Sequence, residues 1–184
     1  VHIMENGEMA VLTENGVKLT DWSGREIKME PYRVNWDPAL AEKEGYEHFM
    51  LKEIHEQPRA IEDTLKGKIK GSRVIFDSLD LPAKDFDKVF ILGCGTAWHA
   101  GLVGRKFIET LAQIPVETDL ASEFRYRDPM VDEGTLTLVI SQSGETADTL
   151  GALREARRRG SRIVAITNVV GSTVSREADD VIYT

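Results

Sequence analysis

The chain has 184 residues, with 31 acidic side chains against 23 basic ones and a formal net charge of −8. That balance argues against a nucleic-acid binder, which needs a surplus of Lys and Arg to displace counterions. One cysteine, Cys94, excludes an intrachain disulfide or a cysteine-based zinc cluster and fits a reducing compartment.

Residues 1–30 are short apolar pieces separated by Asn6-Gly7, Asn15-Gly16 and Ser23-Gly24. Asn-Gly between extended runs predicts a type I′ hairpin turn, which needs positive φ at both central positions. Antiparallel strands are expected at about 1–4, 9–12, 17–20 and 26–29, as the end of a larger β-rich domain or a stand-alone meander. So little hairpin buries too small an apolar surface to fold alone. Pro31 to Gly45 reads as linker. Residues 48–66 read as helix, with Phe49, Met50, Ile54, Ile61 and Leu65 as contacts and a break at Pro58. Residues 67–87 read as irregular, so 31–87 is treated as one linker segment carrying that helix.

From Lys88 onward, apolar β-type runs alternate with helical stretches. Strands are expected at 89–92, 115–118, 136–140, 163–166 and 180–183, and helices at 97–112, 121–126, 146–159 and 173–178. Val89–Leu92 and Leu136–Ile140 are apolar nearly throughout, as in strands buried on both faces. The fold class is therefore α/β, an open doubly wound parallel sheet over 88–184. Such sheets take ligands at the carboxyl ends of their strands. Val1 is not a methionine and the last residues read as strand, so both ends are expected to be cut.

Three loops then matter. Gly93-Cys94-Gly95-Thr96-Ala97 is a glycine-rich turn that brings backbone N–H groups to an anion at a helix N-terminus. A dinucleotide fingerprint wants a third glycine where Trp98 stands, which counts against NAD although Glu117 and Asp119 lie near a ribose-binding position. Cys94 itself reads as a small buried side chain. Ser141-Gln142-Ser143-Gly144-Glu145-Thr146 opens a helix with Ala147, Leu150, Leu153 and Ala156 along one side. Three hydroxyls and an amide at a helix start can hold a phosphate monoester and sugar hydroxyls. The plain alternative is capping, with Ser143 as N-cap; Glu145 and Asp148 would repel a dianion unless they point away. The third loop, 167–173, turns the chain and caps the next helix at Ser172.

The run Arg154–Arg159 reads as a solvated helix end. His2, His48, His55 and His99 have no ligand spacing, so no metal is expected, and no cofactor. With no apolar run near 18 residues and no leader, the expectation is a soluble, cytoplasmic chain with no membrane partner.

Cys94-Gly95-Thr96, Ala121-Ser122-Glu123-Phe124-Arg125-Tyr126-Arg127 and Ser141-Gln142-Ser143-Gly144-Glu145-Thr146-Ala147-Asp148-Thr149 together resemble the glutamine–fructose-6-phosphate aminotransferase (isomerizing) family. His48–Pro58 is similar to the segment leading into that family's isomerase half. The resemblance implies the closing hairpins of an incomplete glutaminase domain over 1–30, then a first sugar-isomerase (SIS) domain over 88–184, C-terminally incomplete and flavodoxin-like or Rossmann-like in type. It implies transfer of amide nitrogen from glutamine to fructose 6-phosphate, giving glucosamine 6-phosphate and glutamate, in a protein that is commonly a homodimer. Fructose 6-phosphate or glucose 6-phosphate and the remainder of the enzyme are the implied partners. Carried over by position, Thr96, Ser141, Gln142, Ser143 and Thr146 contact the sugar phosphate, with the Cys94-Gly95 backbone alongside and Gly144 bringing the loop close. Ala97 departs from the serine many members carry there. No catalytic residue is expected within the chain, because the family's cysteine nucleophile, imine-forming lysine and proton-transfer groups fall outside it. The alternative is a non-catalytic SIS sugar-phosphate sensor, disfavoured by the lack of a DNA-binding pattern; a Rossmann oxidoreductase is weaker still.

Overall fold

Glu8–Thr13 (β1) and Gly16–Asp21 (β2) pair antiparallel in the computed structural model, which describes residues 2–29, 31, 42–76, 79 and 86–184. The register Thr13↔Gly16 makes Glu14-Asn15 the two-residue loop and places Gly16 in the strand at φ +136°. The expected type I′ turn on Asn15-Gly16 is therefore displaced by one residue, and neither loop residue takes positive φ. Of the flanking strands, none forms over 2–4, and 26–29 contributes only the bridge Thr20↔Glu26. Asp21 explains the second loss. Its Oδ1 accepts from Ser23 N, Ser23 Oγ and Arg25 N, bending the chain sharply after β2.

The chain divides into two compact units, Val1–Gln57 and Pro58–Thr184. Most of the linker expected over Pro31–Gly45, residues 32–41, lies outside the described residues, as do 77, 78 and 80–85 of the stretch expected to be irregular. Phe49–Leu65 (α1) is one continuous helix with Pro58 inside it, so the expected break does not occur. After Pro58 the turn is held by Thr64 Oγ1 donating to Ala60 O at 2.7 Å and by the Arg59–Asp63 pair. The apolar side chains expected as contacts, Phe49, Met50, Ile54, Ile61 and Leu65, are all exposed. The buried member is Lys52, whose Nζ donates to Glu42 O at 2.5 Å and lies 3.4 Å from Glu44 and 3.7 Å from Glu56. A buried ammonium persists only when paired in this way. Ile69–Lys70 (β3) and Arg73–Val74 (β4) form a small hairpin within the stretch expected to be irregular, and Lys68 Nζ donates to Tyr183 O.

The second unit carries the parallel sheet. Its elements in order are Lys88–Gly93 (β5), Thr96–Leu111 (α2), Val116–Leu120 (β6), Ala121–Phe124 (α3), Thr135–Ile140 (β7), Ala147–Arg158 (α4), Arg162–Thr167 (β8), Thr173–Glu177 (α5) and Asp180–Tyr183 (β9). The strand order is β6-β5-β7-β8-β9, parallel throughout. Successive residues of β5 serve opposite layers. Phe90 and Leu92 pack with Phe124, Val139, Leu153 and Ile163, while Val89 and Ile91 pack with Val116, Leu136 and Val164. That is why β5 is apolar without alternation. Thr137 is buried in β7, and its Oγ1 lies 2.7 Å from Ser161 Oγ, which donates to Thr135 O. The expected open, doubly wound α/β sheet is therefore present.

Candidate functional site

The chain leaves β5 to build β6 on one side of it, then returns to build β7 on the other. The strand order therefore reverses between β5 and β7, and the loops following these two strands lie at the carboxyl edge of the switch point, where open α/β sheets bind ligands.

The first loop is shaped by absent side chains. A Cβ on Gly93 would lie 2.9 Å from the Trp98 amide nitrogen, and Gly95, the N-cap of α2, adopts φ +57° and ψ −126°. No side chain caps α2, and of its first-turn amides Ala97 N donates to Cys94 O at 3.2 Å, so the anion-facing donors at this positive helix end are the other amides of that turn. Thr96 is exposed beside them. His99 Nδ1 donates to Gly95 O at 2.8 Å and pins the turn. Cys94 is half-buried against the core rather than fully buried, and Thr149 Oγ1 of α4 approaches its sulfur at 3.9 Å, joining the two loops from below. Close helix–strand packing is supplied at residue 101, not 98. A Cβ on Gly101 would fall 2.9 Å from Ile91 Cγ2. Gly101 lies one turn beyond Trp98 on the same helix face, and that spacing was the available signal.

In the second loop, Ser141 is buried and its Oγ accepts from Gly144 N at 3.0 Å. Gly144 has φ +66°, and any Cβ there would collide with Ser172. Ser143 Oγ accepts from Glu145 N at 3.3 Å, and Gln142 and Ser143 are both exposed. The N-cap of α4 is Thr146, not Ser143 as the capping alternative expected, and no side-chain bond caps the helix. Glu145 turns away from this helix. Its carboxylate accepts from Thr173 N at 2.7 Å and Thr173 Oγ1 at 2.8 Å, so it caps α5 instead. The repulsion anticipated from that acid is thereby removed from the loop, while Asp148 remains in the first turn of α4. The third loop supports the second: Gln142 O accepts from Asn168 N and Thr167 Oγ1, and Gly144 O accepts from Val174 N. Sequence reasoning treated this third loop as a mere turn and missed that role.

The acids that kept the dinucleotide reading alive are engaged elsewhere. Arg127 lies 2.6 Å from Asp119 and 3.9 Å from Glu117, and Lys88 lies 3.8 Å from Glu117. The arginine run is ion-paired rather than simply solvated, with Arg154 bidentate on Glu177 and Arg158 bidentate on Glu155. Arg158 and Arg159 together hold the Glu155 carboxyl at about 2, well below the usual carboxylate range.

A parallel five-stranded sheet with two bare, hydroxyl-bearing turns at its switch point defines a SIS domain. The family model for the SIS domain matches residues 84–184, and the chain belongs to that family. Along its whole length it is similar to glutamine–fructose-6-phosphate aminotransferases [isomerizing]. It is 54% identical over 188 residues to that of Clostridium tetani and 58% identical over 189 residues to that of Symbiobacterium thermophilum, each match covering 100% of this chain and 31% of the relative. The chain thus spans about a third of the length of the curated relatives it matches. Among solved structures, the C-terminal domain of the Francisella tularensis glucosamine-fructose-6-phosphate aminotransferase superposes with a TM-score of 0.73 at 40% identity, over 78% of this chain and 41% of that one. Glucosamine-6-phosphate deaminase from Thermotoga maritima superposes at 0.59 with 25% identity, over 72% of this chain and 39% of that one. Among the described residues, no helix is long and apolar enough to cross a membrane.

Proposed function

We propose that this chain is the sugar-phosphate-binding part of an aminotransferase that makes glucosamine 6-phosphate and glutamate from fructose 6-phosphate and glutamine. In this reading 1–30 closes a glutaminase domain, 31–87 links it onward and 88–184 is most of a first SIS domain. The rest of the enzyme, working as a cytoplasmic homodimer, supplies the catalytic groups. The observation that carries the proposal is the pair of glycine-bent loops at one switch point, each leaving an uncapped helix N-terminus with outward hydroxyls. The phosphate of fructose 6-phosphate, or of glucose 6-phosphate, accepts from Thr96, Ser143 and Thr146 and from the first-turn amides of α2 and α4. Ser141 shapes the loop by accepting from Gly144 and keeps its own O–H as a donor. Gln142 reaches the sugar hydroxyls. Cys94, Gly95 and Gly144 contribute backbone rather than side chain.

Calorimetric titration tests this, with fructose and NAD as controls and circular dichroism to verify the fold. Saturable heat with fructose 6-phosphate alone is the expected result. Equal response to unphosphorylated fructose would overturn the phosphate assignment.

A further inference from the structure

Ser172 stands at the N-cap of α5, yet its hydroxyl makes no cap bond and finds no hydrogen-bond partner among the described residues. The residue is 3% exposed. A buried hydroxyl left unpaired is disfavoured by its full loss of hydration, so its placement calls for a cause. The placement is specific. A Cβ on Gly144 would lie 2.1 Å from Ser172 Oγ and 3.2 Å from Thr167 Oγ1, so the hydroxyl abuts the left-handed hinge of the loop that opens α4. The Gly144 and Thr167 groups beside it are engaged. Gly144 N donates to Ser141 Oγ, Gly144 O accepts from Val174 N, and Thr167 Oγ1 donates to Gln142 O.

From this we infer that Ser172 is a positioning residue for the second loop, its hydroxyl acquiring a partner only when that loop holds an anion. The inference rests on the sugar-phosphate reading above and deepens it. When a phosphate settles on the Ser143 and Thr146 hydroxyls and the first-turn amides of α4, with Gly144 N still donating to Ser141 Oγ, the Gly144 peptide shifts against Ser172. The Ser172 O–H then donates to the second lone pair of the Gly144 carbonyl, beside the bond from Val174. A ligand moves an equilibrium only through interactions that differ between the two states, and this bond is such a difference.

The test compares thermal unfolding and fructose 6-phosphate titration for the wild-type chain, Ser172→Ala and Ser175→Ala. Ser175 Oγ donates to Ser172 O at 2.8 Å in the structure as it stands, so its loss reports an ordinary structural bond. Expected for Ser172→Ala is an unliganded Tm equal to or above wild type, with affinity weakened about three- to ten-fold, the size of one net hydrogen bond. Ser175→Ala should do the reverse, lowering Tm and leaving affinity unchanged. A lowered unliganded Tm for Ser172→Ala would mean a hydroxyl already in use and would overturn the inference. Affinity equal to wild type would overturn it as well. A wild-type chain with no affinity for fructose 6-phosphate overturns the underlying reading and this inference with it, and the wild-type titration alone reveals that case.

Discussion

Gly144 has no tolerable substitute. At φ +66° an L side chain is strained, and its Cβ would enter the space of Ser172 Oγ at 2.1 Å. Gly144→Ala is expected to destabilise the second unit by more than about 2 kcal/mol and to abolish sugar-phosphate binding. Urea denaturation followed by titration checks both, and wild-type stability in the variant would contradict the geometry. Ser141→Ala tests the same loop from the other side. It leaves the buried Gly144 N–H without its acceptor, a loss of about 1–3 kcal/mol visible in the urea midpoint. Neither contact follows from spacing in the sequence. The glycine and the serines are recognisable as a phosphate-type loop, but which hydroxyl points inward depends on the third loop packing behind it.

At the scale of elements, α2 can lie on β5 only because residue 101 lacks a side chain. Gly101→Ala should cost about 1–3 kcal/mol through overpacking against Ile91 Cγ2, 2.9 Å away, despite the better helix propensity of alanine. Ile91→Ala removes the clashing atom, so the double variant should be more stable than the two single losses added together. Additive losses would show that the helix simply moves away. The carboxyl end of α4 carries a pH dependence. Glu155, 17% exposed, accepts from Arg158 and then Arg159, which lower its pKa to about 2 from the ordinary 4.5. Because the folded pKa is depressed, this stabilisation is full above about pH 4.5 and is lost as pH falls toward 2. Solvent screening at the exposed Arg158 limits it to roughly 1 kcal/mol. Unfolding free energies of wild type and Glu155→Gln measured from pH 7 downward should converge across that window; a constant gap would exclude the linkage.

For the whole molecule, the two units differ in how they are held. The first contains a two-stranded hairpin with Leu19 and Thr20 as its buried strand residues, and the second a five-stranded sheet between two apolar layers. A two-stranded sheet is marginal by itself, whereas central parallel strands open only in global unfolding. Hydrogen exchange should therefore find the amides of β1 and β2 exchanging orders of magnitude faster than those of β5, β7 and β8. Similar protection in both units would show that the hairpin draws on more support than its own strands provide.

What the sequence determined by itself is the part written in local pattern. Short apolar runs between turn signals fit strands covered on both faces, so 89–92 and 136–140 pointed to a parallel sheet, and the glycine-rich turns marked the loops that follow β5 and β7. The tertiary structure alone decided what depends on contacts between distant segments. Glu145 turns to α5 and away from the start of α4, Gly101 rather than residue 98 admits the strand, and Lys52 rather than the apolar residues of α1 is buried. Periodicity records which residue types recur along one element. Which neighbour each side chain meets is settled only when the other elements arrive, and there a single Cβ, hydroxyl or charge outweighs propensity.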